Sequence, residues 1–337
     1  MGDSRQQILD MYLTTRRKLF SRIIASALLL LLIAWILTSK DILVNQPQIF
    51  QVKFGSSIGE VAQELSEKKI IKSKRFFTSL SRLLNANKKL KSGYYELKPD
   101  TSIFNFINQI SNGEVLKTKV TLVEGKTIQY YFEQLDKDPS IKSNGSLENV
   151  MNSIGIKKPY DGWFYPETYI FNYGESIENV LKKSHETMKL KLEELWENRD
   201  KSIPLDSPYQ AIILASLIEN ETALDNEKPM ISGVFIGRLN SNMRLQTDPT
   251  VIYSLGDQYK PPLTRSDLKF DHPYNTYRNK GLPPGAISSV GYHSLFAALH
   301  PAKGSALYFV SKKDGSHAFA ETYDEHKENI KKYLKAN

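Results

Sequence analysis

Three rhythms of apolar and polar residues divide this chain. From Ile23 to Ser39, seventeen consecutive residues carry no charge, bounded by Arg22 and Lys40. With Leu19 and Phe20 added, and Arg22 snorkelling at the edge, the run approaches the ~20 residues of a membrane-spanning helix. Shorter segments alternate with period two and read as strands: Phe50–Phe54, Gly93–Leu97, Lys117–Val123, and a closing hairpin from Leu307–Val310 and His317–Phe319. Others repeat every three to four residues and read as helices. Val61, Leu65, Ile70 and Phe76 suggest two short helices around Lys68-Lys69; Ser176–Asn198 and Tyr323–Leu334 suggest longer ones.

A recurring tetrapeptide marks helix starts. Gly55-Ser-Ser-Ile58, Asp100-Thr-Ser-Ile103, Gly125-Lys-Thr-Ile128 and Gly174-Glu-Ser-Ile177 each set Ser or Thr where an N-cap belongs, with an apolar residue next. Ser57 with Glu60 fits a capping box. Asn112-Gly113 and the Asp136–Ser146 stretch read as turns or loops. The spacing predicts a first module over 45–115 and a second region over 117–337. Beyond about residue 245, Pro261-Pro262, Pro273, Pro283-Pro284-Gly285 and Pro301 predict long ordered loops of the kind that line a cleft.

The segment richest in chemistry runs from Ala211 through Ile218, apolar apart from Ser216, straight into Glu219 and Glu221. A helix that carries a carboxyl group beside dry surface favours its neutral form, so the group can act as a general acid near neutral pH. Residues i and i+2 do not share a helix face. Glu221 falls on the stripe Leu214, Leu217, Ile218; Glu219 falls on Ala211, Ile212, Ala215, Ser216. The first stripe is bulkier and more apolar, which favours Glu221 as the tuned acid and keeps Glu219 as the fallback. The alternative is a helix end fraying into solvent, with both carboxylates on the surface.

Composition narrows the chemistry. The 337 residues contain no cysteine, which removes disulfides, thiolate nucleophiles and cysteine-held zinc. The net charge of +8 is partly local, with Arg5, Arg16, Arg17, Lys18 and Arg22 before the apolar run. That flank predicts a cytoplasmic tail over 1–19, a spanning helix over 20–39 and the bulk of the chain outside. Leu37-Thr38-Ser39-Lys40 offers no small-residue cleavage site, so an uncleaved anchor is expected. No basic block with interleaved aromatics suggests nucleic acid. None of the six histidines has a metal-ligand spacing, and neither a phosphate loop nor a Gly-x-Ser-x-Gly elbow is present. Neither a metal nor a cofactor is expected. His300 reads as a structural hydrogen-bonding group.

Carboxylate chemistry remains. Gly162–Tyr169 clusters aromatics around Glu167, a potential sugar-stacking surface or a piece of core. Gln246, Thr247 and Asp248, with Asn275 and Tyr277, could orient a substrate; an Asp-Pro turn with an N-cap is the alternative.

The runs Ala215–Thr222, Gly233–Leu239, Met243–Tyr253, Tyr274–Tyr277, Gly281–Ile287 and His300–Ala302 closely resemble the endolytic murein transglycosylases, the YceG-like family. The resemblance runs from the apolar segment to the C-terminus and is most specific over about 160–310. Leu122-Val-Glu-Gly125 departs from it, lacking the Pro that often precedes Glu-Gly. The resemblance implies an α+β protein: an N-terminal transmembrane helix, a small LysM-like α/β module and a larger mixed α+β catalytic domain with a buried catalytic helix. It implies cleavage between MurNAc and GlcNAc within nascent peptidoglycan strands, leaving 1,6-anhydro-MurNAc ends and limiting glycan elongation. It also implies an inner-membrane location with a periplasmic bulk, and peptidoglycan synthases as partners. The family's essential Glu corresponds to Glu221, in the pair Glu221-Thr222. The rival readings are a lysozyme-like hydrolase, with Asp248 or Glu167 as second carboxylate, and a non-catalytic wall-binding scaffold.

Overall fold

The computed structural model describes residues 3–38, 42–143 and 145–334. Ser39, Lys40 and Asn144, which bound the apolar run and sit in the expected loop, lie outside the described residues. So do the side chains of Arg5 and Trp35. The chain is a mixed α+β protein with small two-stranded sheets, and it divides into two compact units.

The first unit comprises residues 1–118 and 172–174. It opens with helix α1 (Asp3–Thr38), unbroken over 36 residues. Its apolar side chains, Ile23, Leu28, Leu30 and Leu31 among them, are exposed. Among the described residues no helix is long and apolar enough to cross a membrane. The expected span over 20–39 is therefore not reproduced there: the described side chains of α1 end at Ala34, and Arg17, Lys18 and Arg22 precede the apolar part.

Next come β1 (Gln48–Val52), α2 (Ile58–Glu67), α3 (Lys74–Leu83), β2 (Gly93–Leu97) and α4 (Ile103–Asn112). β1 and β2 pair antiparallel, with Phe50 opposite Tyr95. Alternation sends Phe50, Val52, Tyr95 and Leu97 into a core shared with Val61, Leu65, Phe77, Phe106 and Ile110. The first strand ends two residues earlier than the alternation predicts. Ser56 N–H bonds the Lys53 carbonyl at 3.2 Å, and this turn leaves Phe54 96% exposed.

The second unit holds residues 119–171 and 175–337. Its order is β3 (Lys117–Thr121), α5 (Ile128–Lys137), β4 (Ile141–Lys142), α6 (Leu147–Ser153), β5 (Thr168–Asn172), β6 (Glu175–Ser176) and α7 (Ile177–Glu197). Then follow α8 (Pro208–Glu221), α9 (Lys228–Asn240), α10 (Asp248–Leu255), α11 (Tyr292–Leu299), β7 (Tyr308–Ser311), β8 (His317–Ala320) and α12 (Tyr323–Leu334). β3 pairs with β5, β4 with β6 in parallel, and β7 with β8 antiparallel. The predicted caps form: Ser57, Ser102, Thr127 and Ser176 each accept a backbone N–H from the first turn, and Ser57–Glu60 makes the reciprocal box.

Helix α8 is the axle of this unit. Every residue from Ala211 to Ile218 is buried. α8 packs against α7, α9, α10 and α11, so no face of its apolar segment meets water. A helix covered on all sides is apolar on all sides. Gly162, at φ +85°, fits under it: a β-carbon there would sit 2.5 Å from Ile212 and 2.6 Å from Ala286.

The region beyond residue 245 is less irregular than its prolines suggest. Pro249 sits in the first turn of α10 and Thr247 precedes it as N-cap residue, while α11 forms from an uncharged stretch pressed against α8. Proline lacks a backbone N–H, and the first helical turn does not need one. The Gly162–Tyr169 aromatics also serve packing. Trp163 stacks on Tyr209 at 4.6 Å and 4°, and Phe164 is buried.

Candidate active site

α8 ends at Glu221, and Thr222 leaves the helix in an extended conformation. The two carboxylates point to different surroundings, as the i, i+2 spacing requires. Glu219 accepts the Gly291 N–H at 3.0 Å and pairs with Lys228 Nζ at 3.5 Å, where both side chains are nearly closed to solvent. Glu124 lies in the same cluster. Burial, then the charge of Glu219, pushes its carboxyl above the usual range. Burial opposes the Lys228 charge, but Asp225, Glu219 and Glu124 together hold its pKa above the ordinary value.

Among the described residues no such cation is bonded to Glu221. Its Oε2 accepts one hydrogen bond, from Thr247 Oγ1 at 2.7 Å. Burial raises its pKa, and the nearby Asp248 charge raises it further; the Thr247 bond, His317 and Arg238 act the other way. The balance lies above the ordinary carboxyl value, which extends the pH range over which the group holds its proton.

Thr247 is held by a threonine cluster. Its N–H donates to Thr276 Oγ1 at 3.1 Å, and its carbonyl accepts Thr250 Oγ1 at 2.8 Å. Thr250 and Thr276 hydroxyls meet at 2.9 Å. Gln246, just before, is left-handed at φ +50°, an unusual state for a residue with a side chain. That kink leaves Gln246 exposed while Thr247 is buried. Tyr277 donates its hydroxyl to Asp248 Oδ1 at 2.5 Å, and burial followed by Asp248 raises the phenol pKa.

Glu221, Gln246, Asp248 and Tyr277 line one cleft of about 490 Å³, together with Arg238, Tyr308, His317 and His326. Of the six residues named from sequence, four therefore border this space and Thr247 bonds directly to Glu221. Asn275 is placed differently. Its Nδ2 donates to the Leu268 and Phe270 carbonyls and its Oδ1 accepts the Tyr277 N–H at 2.9 Å, so it shapes the loop that carries Tyr277. Glu167 is exposed and borders a different pocket. His300 bonds two backbone carbonyls, of Phe296 and Asn198, in keeping with a structural role.

Sequence reasoning assigned no role to Arg238, Glu227 or His317. Arg238 is buried and donates to the carbonyls of Leu307 at 2.7 Å and Leu245 at 2.6 Å, fixing the hairpin and the Gln246 loop around Glu221. Its only signal was a place inside the Gly233–Leu239 run. Glu227 and His317 are 90 residues apart and form a pair that sequence does not announce. Among the described residues, no group of three or more His, Asp or Glu side chains is placed to hold a metal ion.

A partly buried carboxyl with a raised pKa, facing an open polar cleft, is the arrangement that general-acid chemistry requires. Comparison with known proteins places it further. The YceG-like family profile matches residues 50–332, and the chain belongs to that family. An endolytic murein transglycosylase of Bacillus subtilis (strain 168) is 30% identical over 306 residues, 83% of each chain. One from Streptococcus pneumoniae serotype 2 is 23% identical over 318 residues; the match spans 83% of this chain and 57% of that one. A YceG-like protein of Listeria monocytogenes, solved by crystallography, is 29% identical with a TM-score of 0.52, over 85% of this chain and 99% of the other.

Proposed function

We propose that this chain is an endolytic lytic transglycosylase acting on nascent peptidoglycan glycan strands. The observation that carries the reading is the Glu221 carboxyl, half-buried at the end of α8, bonded to the neutral Thr247 hydroxyl and open to the cleft. The names of the Bacillus and Streptococcus relatives supply the substrate class.

Protonated Glu221 donates its proton to the glycosidic oxygen as the MurNAc C1–O bond breaks. The anomeric carbon gains oxocarbenium character, stabilised by the substrate's own N-acetyl group. The Glu221 carboxylate then takes the proton of the MurNAc 6-hydroxyl as O6 bonds to C1, closing the anhydro ring. One carboxyl serves as acid and then base, so no second catalytic carboxylate is required. Asp248, tied to Tyr277, orients the strand with Gln246. The reaction needs no cofactor.

Three further parts belong to this proposal. Residues 20–39 anchor the chain in the inner membrane, with 1–19 in the cytoplasm and the bulk periplasmic. The unbroken α1, its exposed Ile and Leu side chains and the basic residues before them support this. Residues 45–115 form a LysM-like module that holds glycan, supported by two helices set between paired strands. Peptidoglycan synthases supply the strand.

The length distribution of purified uncrosslinked strands treated with the full chain in detergent tests the endolytic reading. Mean length should fall early, before small fragments accumulate, and should hold steady with E221Q. Progressive release of disaccharides from one end would refute endolytic cleavage. Unchanged strands with the native chain would return it to a wall-binding scaffold.

A further inference from the structure

The mechanism above leaves one buried titratable pair in the cleft wall unused. Glu227 precedes α9, and among the described residues its one ion-pair partner is His317 on β8. Glu227 Oε1 accepts the His317 backbone N–H at 2.9 Å, and Oε2 meets His317 Nδ1 at 2.7 Å. Thr222 Oγ1, on the residue after Glu221, adds a 3.4 Å bond to Oε2. The two side chains are 6% and 7% exposed.

This geometry fixes the imidazole. Nδ1 faces a carboxylate, so Nδ1 carries a proton, and Nε2 is the ring atom left for the cleft. Among the described residues no protein hydrogen bond involves Nε2, and the ring borders the cleft of Glu221. Phe309 packs edge-to-face against the ring at 5.4 Å and 89°. A tie between α9 and β8 could be made as well by apolar packing, because desolvating an ion pair offsets much of its attraction. Apolar packing cannot supply an oriented hydrogen-bonding group beside the acid.

We propose that the Glu227–His317 pair is a substrate-binding element: His317 Nε2 makes a hydrogen bond with a sugar hydroxyl in the Glu221 cleft, and Glu227 holds the ring in place. This rests on the glycan reading of the cleft. His317 touches the substrate; Glu227 is a positioning residue that acts through it.

The test uses the full chain in detergent with ¹⁵N-labelled imidazoles and the E221Q substitution, so that strands bind uncut. Uncrosslinked glycan strands are titrated in, and His317 is assigned by the resonance lost in H317N. The account expects an Nε2 signal that shifts on glycan addition, while the Nδ1 signal stays that of an N–H. An Nε2 signal unmoved at saturating glycan overturns it.

Kinetics in the Glu221 chain separate binding from packing. H317A should lower kcat/KM about 10²-fold, the upper range for a buried polar group left without its partner. H317Q, whose amide can still hydrogen-bond a hydroxyl, should recover about a tenth of the native value. Equal losses in H317A and H317Q, matched by equal falls in Tm, would mean a structural tie only. If the native chain leaves strands uncut and the Nε2 signal still shifts, the catalytic reading fails and the binding site stands.

Discussion

Thr247→Val tests the electrostatics of Glu221 through a single bond. The two side chains have nearly the same shape. The backbone contacts of Thr247, to Thr276 and Thr250, do not involve its hydroxyl. What disappears is the 2.7 Å bond from Oγ1 to Glu221 Oε2. A hydrogen bond to a charged group is worth about 1.5–3 kcal/mol and one to a neutral group about 0.5–1.5 kcal/mol. The ionised form of Glu221 therefore loses about 1–1.5 kcal/mol more than the protonated form, near tenfold in its acid dissociation constant. The Glu221 pKa, already raised by burial, rises again. Cleavage needs the protonated form, so the alkaline limb of kcat/KM moves to higher pH. The assay is initial cleavage rate across pH for both proteins. Whatever T247V loses at acid pH, its rate relative to the native chain should climb with pH, up to about tenfold across the limb. A ratio that stays flat or falls would refute this electrostatic reasoning.

Other consequences are open to measurement. E221Q should lose at least ~10²–10⁴-fold in cleavage. It should also gain stability near neutral pH. The native carboxyl, raised by burial, costs stability as pH climbs from its unfolded value near 4.5 through its folded value, and Gln escapes that loss. Urea titrations at acid and neutral pH check it; a constant difference would contradict it. Lys228→Met leaves Glu219 and Glu124 without their shared cation and should cost about 3–5 kcal/mol in the same titration. A loss under 1 kcal/mol would show that the pair is not needed. Gly162→Ala places a methyl against Ile212 and Ala286 at positive φ and should cost about 2–4 kcal/mol, lowering Tm. An unchanged Tm would mean that α8 tolerates a shift there.

Local order was the most readable part of this chain. Ser57, Ser102, Thr127 and Ser176 mark helix starts because a cap is a bond within one turn, visible in four residues. The division of Glu219 from Glu221 was equally local, since helical geometry alone sends them to different faces. What each would meet was not legible. Lys228 and Gly291 reach Glu219 from other elements, and Thr247 reaches Glu221 from 26 residues away. α10 and α11 were taken for loop for two reasons. Pro249 at a helix start resembles a breaker, and α11 is held by burial against α8 rather than by one clean apolar stripe. Asn275 was grouped with Tyr277 because loop amides suit substrates, and only the Leu268 and Phe270 carbonyls reveal that its side chain is occupied. Glu227 sits in a polar stretch and His317 opens a short strand; neither marks the other, and the fold alone brings them together.

The central claim is that Glu221 alone serves as acid and base. Mass spectrometry of the fragments released by the full chain from uncrosslinked strands, beside E221Q, addresses it directly. The account predicts ends lighter by one water, anhydro-MurNAc, that vanish in E221Q. Reducing ends that have gained water would contradict it and move the second catalytic role to Asp248.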